Sequence, residues 1–166
     1  MHPVSFVGAG PGAEDLLTLR AARHLREADV LVWTDSLISP AIPALAPAHC
    51  ERIRTSSLTL EQVIPILISR QRDGKRVVRL HDGDTSLYSA INEQICALSD
   101  AGIAVDVVPG ISAYQAAAAG LSCELTIPGV VQTIVLGRAG GRTGVPDRES
   151  LNHLAALQAS FCIYLS

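Results

Sequence analysis

Short apolar runs alternate along this chain with longer stretches of helical periodicity. Residues 4–8, 29–33, 51–55, 76–80 and 104–108 are short and mostly apolar, the pattern of strands buried on both faces of a sheet. After the first of them, residues 14–28 place Leu16, Leu17, Leu19 and Leu25 at mostly helical spacing. Thr59-Leu60-Glu61-Gln62 has the form of a capping box and predicts a helix through Arg72, with Pro65 early enough to kink it. Residues 87–101 and 113–119 complete the helices. This alternation predicts an α/β fold: a mostly parallel five-stranded sheet flanked by helices, over residues 1–127. In such sheets ligands bind beyond the carboxyl ends of the strands. A second α/β unit is expected over residues 128–166, with strands at 132–137 and 161–165 and a short helix at 150–156. Two strands and one helix are too few to bury a sheet, so this second domain is expected to be incomplete.

Composition narrows the function classes. With 48% hydrophobic and 17% charged residues the chain is globular rather than disordered. Aromatics are only 4%, so the core is built from Ala, Leu, Ile and Val. A net charge of −3 offers no basic face for nucleic acid. No apolar run is long enough to span a membrane, and the start enters a strand without a cationic leader; a cytoplasmic protein is expected. The four cysteines form no CxxC pair and read as thiols, and the five histidines lack metal-ligand spacing. No metal is expected.

Three strand-end turns carry the candidate chemistry. Gly8-Ala9-Gly10-Pro11-Gly12-Ala13 fits the dinucleotide fingerprint, and Asp35 follows the second strand where a ribose-binding acid could sit. Pro11, however, removes an N–H from the loop that would cradle a pyrophosphate. His81-Asp82-Gly83-Asp84-Thr85-Ser86 follows the fourth strand. It could serve as an ordinary turn, as a Mg²⁺ loop, or as a place where backbone and carboxylate approach a cationic cofactor. Pro109-Gly110-Ile111-Ser112-Ala113 turns sharply into an Ala-rich helix, and its small residues permit close approach of a neighbouring segment or a flat ligand.

Taken in order, these turns resemble those of the tetrapyrrole (corrin/porphyrin) methylases. The resemblance rests on Gly8–Gly12 with Asp15–Ala21 and Glu27–Val32, on Gly83-Asp84-x-Ser86-Leu87-Tyr88, and on Pro109–Ala113. Within that family, Asp35–Leu37, Thr55–Glu61 and the 140–151 stretch are most similar to the precorrin-4 branch. Two departures stand out: Thr85 replaces the usual loop proline, and Ser89 stands where glycine is common. Family members also continue through further strands and helices, so the resemblance implies a chain that lacks part of the second domain.

The resemblance implies two α/β domains with S-adenosylmethionine between them, a tetrapyrrole substrate and a homodimer. It implies methyl transfer to ring carbon C11 of precorrin-4 or cobalt-precorrin-4. Cofactor contacts would come from Gly10, Pro11, Gly12, Asp82, Gly83, Asp84, Ser112, Ala113, Tyr164 and Leu165. Asp84 is expected either as an acid near the cofactor or as a residue shaping the backbone, and Asp35 as an acid facing the substrate. Arg138 and Arg142 are candidates to pair with the acidic side chains of the macrocycle. Three alternatives stay open: another corrin or porphyrin methylase such as uroporphyrinogen-III methyltransferase, an NAD-dependent dehydrogenase, and a non-catalytic fragment.

Overall fold

The computed structural model describes residues 2–140 and 144–165, and the chain divides into two compact units, Met1–Ala113 and Tyr114–Ser166. The first holds β1 (Val4–Gly8), α1 (Leu19–Arg26), β2 (Val30–Trp33), α2 (Ala41–Ala44), β3 (Glu51–Arg54), α3 (Leu60–Arg72), β4 (Val77–His81), α4 (Ile91–Asp100) and β5 (Val105–Val108). All five strands run parallel in the order β3-β2-β4-β1-β5. Alternating side chains feed two apolar layers. Val7, Leu31, Val78 and Leu80 pack with Ala21 and Leu25 of α1 and Ile42 of α2. Val4, Phe6, Val30, Val32 and Val77 pack with Val63 and Leu67 of α3 and Leu98 of α4 on the opposite face. Burial on both faces holds for β1, β2 and β4, whereas the edge strand β3 is largely exposed.

Local chemistry moves two helix starts. The first helix begins at Leu19 rather than 14, because the Thr18 hydroxyl accepts from the Ala21 N–H and caps it there; Glu14–Leu16 forms a separate short turn. The helix expected from 87 starts at Ile91, since Tyr88 and Ala90 adopt left-handed backbone at φ 55° and 47°. The capping box of α3 forms as expected, with Thr59 N–H donating to Gln62 Oε1 at 2.9 Å, and the helix runs unbroken past Pro65. Arg70 of α3 donates twice to the Glu51 carboxylate, at 2.7 and 2.8 Å. Both groups face solvent, so Arg70→Ala should leave the urea midpoint nearly unchanged, with any shift smaller still in high salt. A large drop in the midpoint would show the pair to be a structural anchor.

The second unit contains α5 (Ala113–Gly120, counted from its first residue), β6 (Ile134–Arg138), α6 (Leu151–Ala155) and β7 (Ser160–Tyr164), with β6 and β7 paired in parallel. It begins at Tyr114 rather than at 128 because residues 114–127 are tied to β7. Tyr114 N–H donates to Tyr164 Oη at 3.1 Å, and Ser160 Oγ donates to the Leu125 carbonyl at 2.6 Å. No described side chain of this unit is fully buried.

Candidate functional site at the strand ends

The sheet order places β4, β1 and β5 side by side, with Gly8 opposite His81 and Val7 opposite Val108. The turns that follow therefore leave the sheet together. They meet at backbone distance. A Cβ on Gly8 would lie 2.6 Å from the Gly110 nitrogen and 2.7 Å from the Gly83 carbonyl oxygen. A Cβ on Gly110 would lie 2.1 Å from that same oxygen. The glycines are thus required by contact between loops.

Hydrogen bonds lock the contact. Ala9 N–H donates to the His81 carbonyl at 2.7 Å, Gly10 N–H to the Gly83 carbonyl at 3.1 Å, and Gly83 N–H to the Gly10 carbonyl at 2.9 Å. With the Gly10 N–H spent and none on Pro11, the first turn has little left to cradle a pyrophosphate. This counts against the dinucleotide reading.

Asp84 joins the fourth-strand turn to the fifth. Its Oδ2 accepts from the Gly110 N–H at 2.9 Å, while Oδ1 accepts from the Ser86 N–H at 2.9 Å and from the Ser86 hydroxyl. Burial alone would raise its pKa, but these donors and the Thr85 N–H outweigh it and hold the carboxyl below its ordinary value. Proline at position 85 would lack that N–H. Both carboxylate oxygens of Asp84 are thus engaged, one with Ser86 and the other with Gly110. Asp82, next to it, is exposed. Ser112 is buried at the end of the fifth-strand turn and Ala113 is exposed at the start of α5.

The other expected residues lie elsewhere. Asp35 follows β2 on the same edge of the sheet and accepts from the Ser56 N–H at 3.4 Å; the Ser56 hydrogen bond holds its pKa low. With Trp33, Arg52 and Arg54 it lines a cavity of about 610 Å³. Tyr164 and Leu165 belong to the second unit, where Tyr164 accepts from Tyr114 and Leu165 is exposed with φ 54°. Arg138 donates to the Gly144 carbonyl at 3.0 Å and so spans its own loop. Arg142 lies outside the described residues.

One residue escaped the sequence reading. Arg79 on β4 is buried at 7% exposure, and His81, expected just after the fourth strand, is instead its last residue and is buried as well. The signal for Arg79 was available: a cation inside an apolar run of a strand that is covered on both faces.

Comparison with known proteins agrees with this geometry. Residues 3–166 match the profile of the Tetrapyrrole (Corrin/Porphyrin) Methylases. Cobalt-precorrin-4 C(11)-methyltransferase of Priestia megaterium is 41% identical over 161 residues, covering 97% of this chain and 62% of that protein. Precorrin-4 C(11)-methyltransferase of Pseudomonas aeruginosa is 43% identical over 162 residues, covering 98% and 64%. The chain thus spans less than two thirds of these relatives' length. The solved structure of a cobalt precorrin-4 methyltransferase, a cobalamin biosynthetic enzyme, superposes with a TM-score of 0.95 at 40% identity, covering 98% of this chain and 68% of that one. Uroporphyrin-III C-methyl transferase of Thermus thermophilus, complexed with S-adenosylhomocysteine, superposes at 0.75 with 31% identity, covering 88% and 64%. Matched along nearly its whole length by profile, sequence and fold, the chain belongs to the tetrapyrrole (corrin/porphyrin) methylase family.

Proposed function

We propose that this chain carries the methyl-donor site of an S-adenosylmethionine-dependent C-methyltransferase, acting on C11 of cobalt-precorrin-4 or precorrin-4 in cobalamin biosynthesis, as a cytoplasmic homodimer. The observation that carries the reading is the contact of Gly8, Gly83 and Gly110 at three adjacent strand ends. It is supported by relatives named for that reaction and by a relative complexed with S-adenosylhomocysteine.

The residues present suit such a cofactor. S-adenosylmethionine has no phosphate, so a first turn poor in free N–H groups is no handicap; what it supplies is a methyl group made electrophilic by a sulfonium. This chain's part is to hold it. Gly10–Gly12, the Asp82–Asp84 turn and Ser112-Ala113 would form the rim, with Asp84 fixing the distance between two of these segments. The exposed Asp82 carboxylate supplies negative charge there. Positioning donor against acceptor carbon is worth about 7–11 kcal/mol when the geometry is near attack, and it needs no triad.

Calorimetric titration tests the binding half: S-adenosylhomocysteine should bind saturably and NAD should not. NAD binding without S-adenosylhomocysteine binding would overturn the reading. Locating the label from methyl-labelled donor on precorrin-4 by NMR tests the carbon. A charge-specific prediction follows from Asp82. Asp82→Asn should weaken the sulfonium-bearing donor about five-fold more than the neutral thioether product, as expected for the loss of about 1 kcal/mol of attraction at a few ångströms in a partly screened site. Equal weakening of both would remove Asp82 from the electrostatics.

A further inference from the structure

Arg79 is a buried cation to which no carboxylate is hydrogen-bonded among the described residues. It projects from the middle strand β4 into the α3 and α4 face of the sheet. Its Nε–H donates to Gln94 Oε1 at 3.2 Å, and Nη1 donates to the Val32 carbonyl at 3.4 Å and to Thr55 Oγ1 at 3.3 Å. Gln94 is itself held by its Nε2, which donates to the Ala90 carbonyl at 3.0 Å, so its oxygen faces the guanidinium. Burial pulls the Arg79 pKa down to about 10, with Asp82 pulling it back up, so the group stays charged at neutral pH. These bonds use Nε and Nη1. Nη2 donates to no group among the described residues, and the guanidinium borders a cavity of about 300 Å³ whose wall combines the hydroxyls of Thr34, Ser36, Thr55, Ser56 and Thr59 with the apolar Leu58, Leu60 and Val63.

A buried cation is expensive without a counter-charge. Here the hydrogen-bond partners are neutral oxygens, and the cavity beside the guanidinium carries hydroxyls that can donate as well as accept. The cavity opens where β2 and β3 end, on the same edge of the sheet as the three-glycine contact.

We propose that this pocket is a carboxylate-binding site, with Arg79 Nη2 and the surrounding hydroxyls receiving one monoanionic carboxylate. A doubly charged phosphate suits it less. One guanidinium edge balances one charge, and two carboxylates stand close by: Asp35 on the Ser56 N–H and Glu61 on the Thr59 hydroxyl. The carboxylate has two possible sources, an acidic side chain of the macrocycle or a free small acid. The first rests on the proposed function; the site itself does not.

The test is an NMR titration of the chain with propionate, with inorganic phosphate, and with a porphyrin bearing free carboxylates. Propionate should shift the Arg79 Nε–H and the Thr34, Ser36 and Ser56 amides saturably in the millimolar range, with phosphate at least ten-fold weaker. Ser36→Ala with Ser56→Ala should weaken propionate at least five-fold while the melting temperature stays within a few degrees. Arg79→Met should abolish the response, and the serine pair keeps the test decisive should that variant fail to fold. Competition between the porphyrin and propionate would identify the macrocycle as the source, whereas propionate binding alone would identify a free acid. Absence of saturable shifts, or unchanged affinity in the serine variant, overturns the site. S-adenosylhomocysteine binding, measured in the same samples, reports separately on the proposed function.

Discussion

Gly110→Ala is expected to destabilise the chain by about 3 kcal/mol or more and to abolish S-adenosylhomocysteine binding. The added methyl would sit 2.1 Å from the Gly83 carbonyl oxygen and 2.9 Å from the Gly8 Cα, all backbone atoms with no rotamer to yield. Relief requires the ends of β5, β1 and β4 to part by about 1 Å, which close-packed interiors resist. That movement would strain the paired Gly10 and Gly83 hydrogen bonds and the Gly110 N–H bond to Asp84. A charge-assisted bond of that kind is worth about 1.5–3 kcal/mol. Thermal unfolding should show a midpoint lower by roughly 6–12 °C, from about 2–4 °C per kcal/mol at this chain length. Gly120→Ala is the control, since a Cβ there meets no atom of the described residues within 4 Å. A Gly110→Ala protein that melts with the wild type and still binds S-adenosylhomocysteine would end the case for a steric requirement at this contact.

The glycines could be read from sequence, but the reason for them could not. Gly8, Gly83 and Gly110 each follow an apolar run, so a tight turn at each strand end was legible. That two of them exclude a Cβ because they touch each other depends on β4, β1 and β5 being neighbours, an order that local pattern does not encode. Asp84 shows the same limit. In one dimension its side chain left two roles open, an acid near the cofactor or a shaper of backbone; only in three are its oxygens seen to be divided between Gly110 and Ser86. The late start of α4 was hidden for a different reason: Tyr88 and Ala90 adopt left-handed backbone without being glycine, at a cost that only tertiary packing offsets. Arg79 was passed over because periodicity scores a lone cation in a strand as noise, whereas a strand covered on both faces leaves such a cation nowhere to go but inward.

His81 should make the fold sensitive to acid well above the range of its carboxylates. The ring is buried, stacked on Phe6 with centroids 5.8 Å apart, and its Nε2 has no hydrogen-bond partner among the described residues. Burial, aided by the nearby Arg79 charge, lowers its pKa from 6.5 to about 3. The unfolded chain therefore takes up a proton near pH 6.5 that the folded chain refuses. Stability is complete above that value and falls as pH drops from about 6.5 towards 3. Linkage puts the loss at about 2 kcal/mol by pH 5. Asp84, Asp35, Glu51 and Glu61 also have lowered values, but as carboxylates their contributions are lost only at more acid pH, below about 4.5. His24 beside Asp106 and His49 beside Asp29 also lie in the folded chain, so the difference between wild type and a His81 variant in urea unfolding between pH 7.5 and 5 is what isolates this imidazole. The wild type should lose stability across that interval, and His81→Leu, which cannot titrate and keeps a side chain suited to the layer around Phe6, should lose about 2 kcal/mol less. Parallel curves for the two proteins would mean that the imidazole accepts its proton in the folded state. In that case the carbonyl of His81, which receives the Ala9 N–H at 2.7 Å, would anchor the first turn over a charged ring rather than a neutral one.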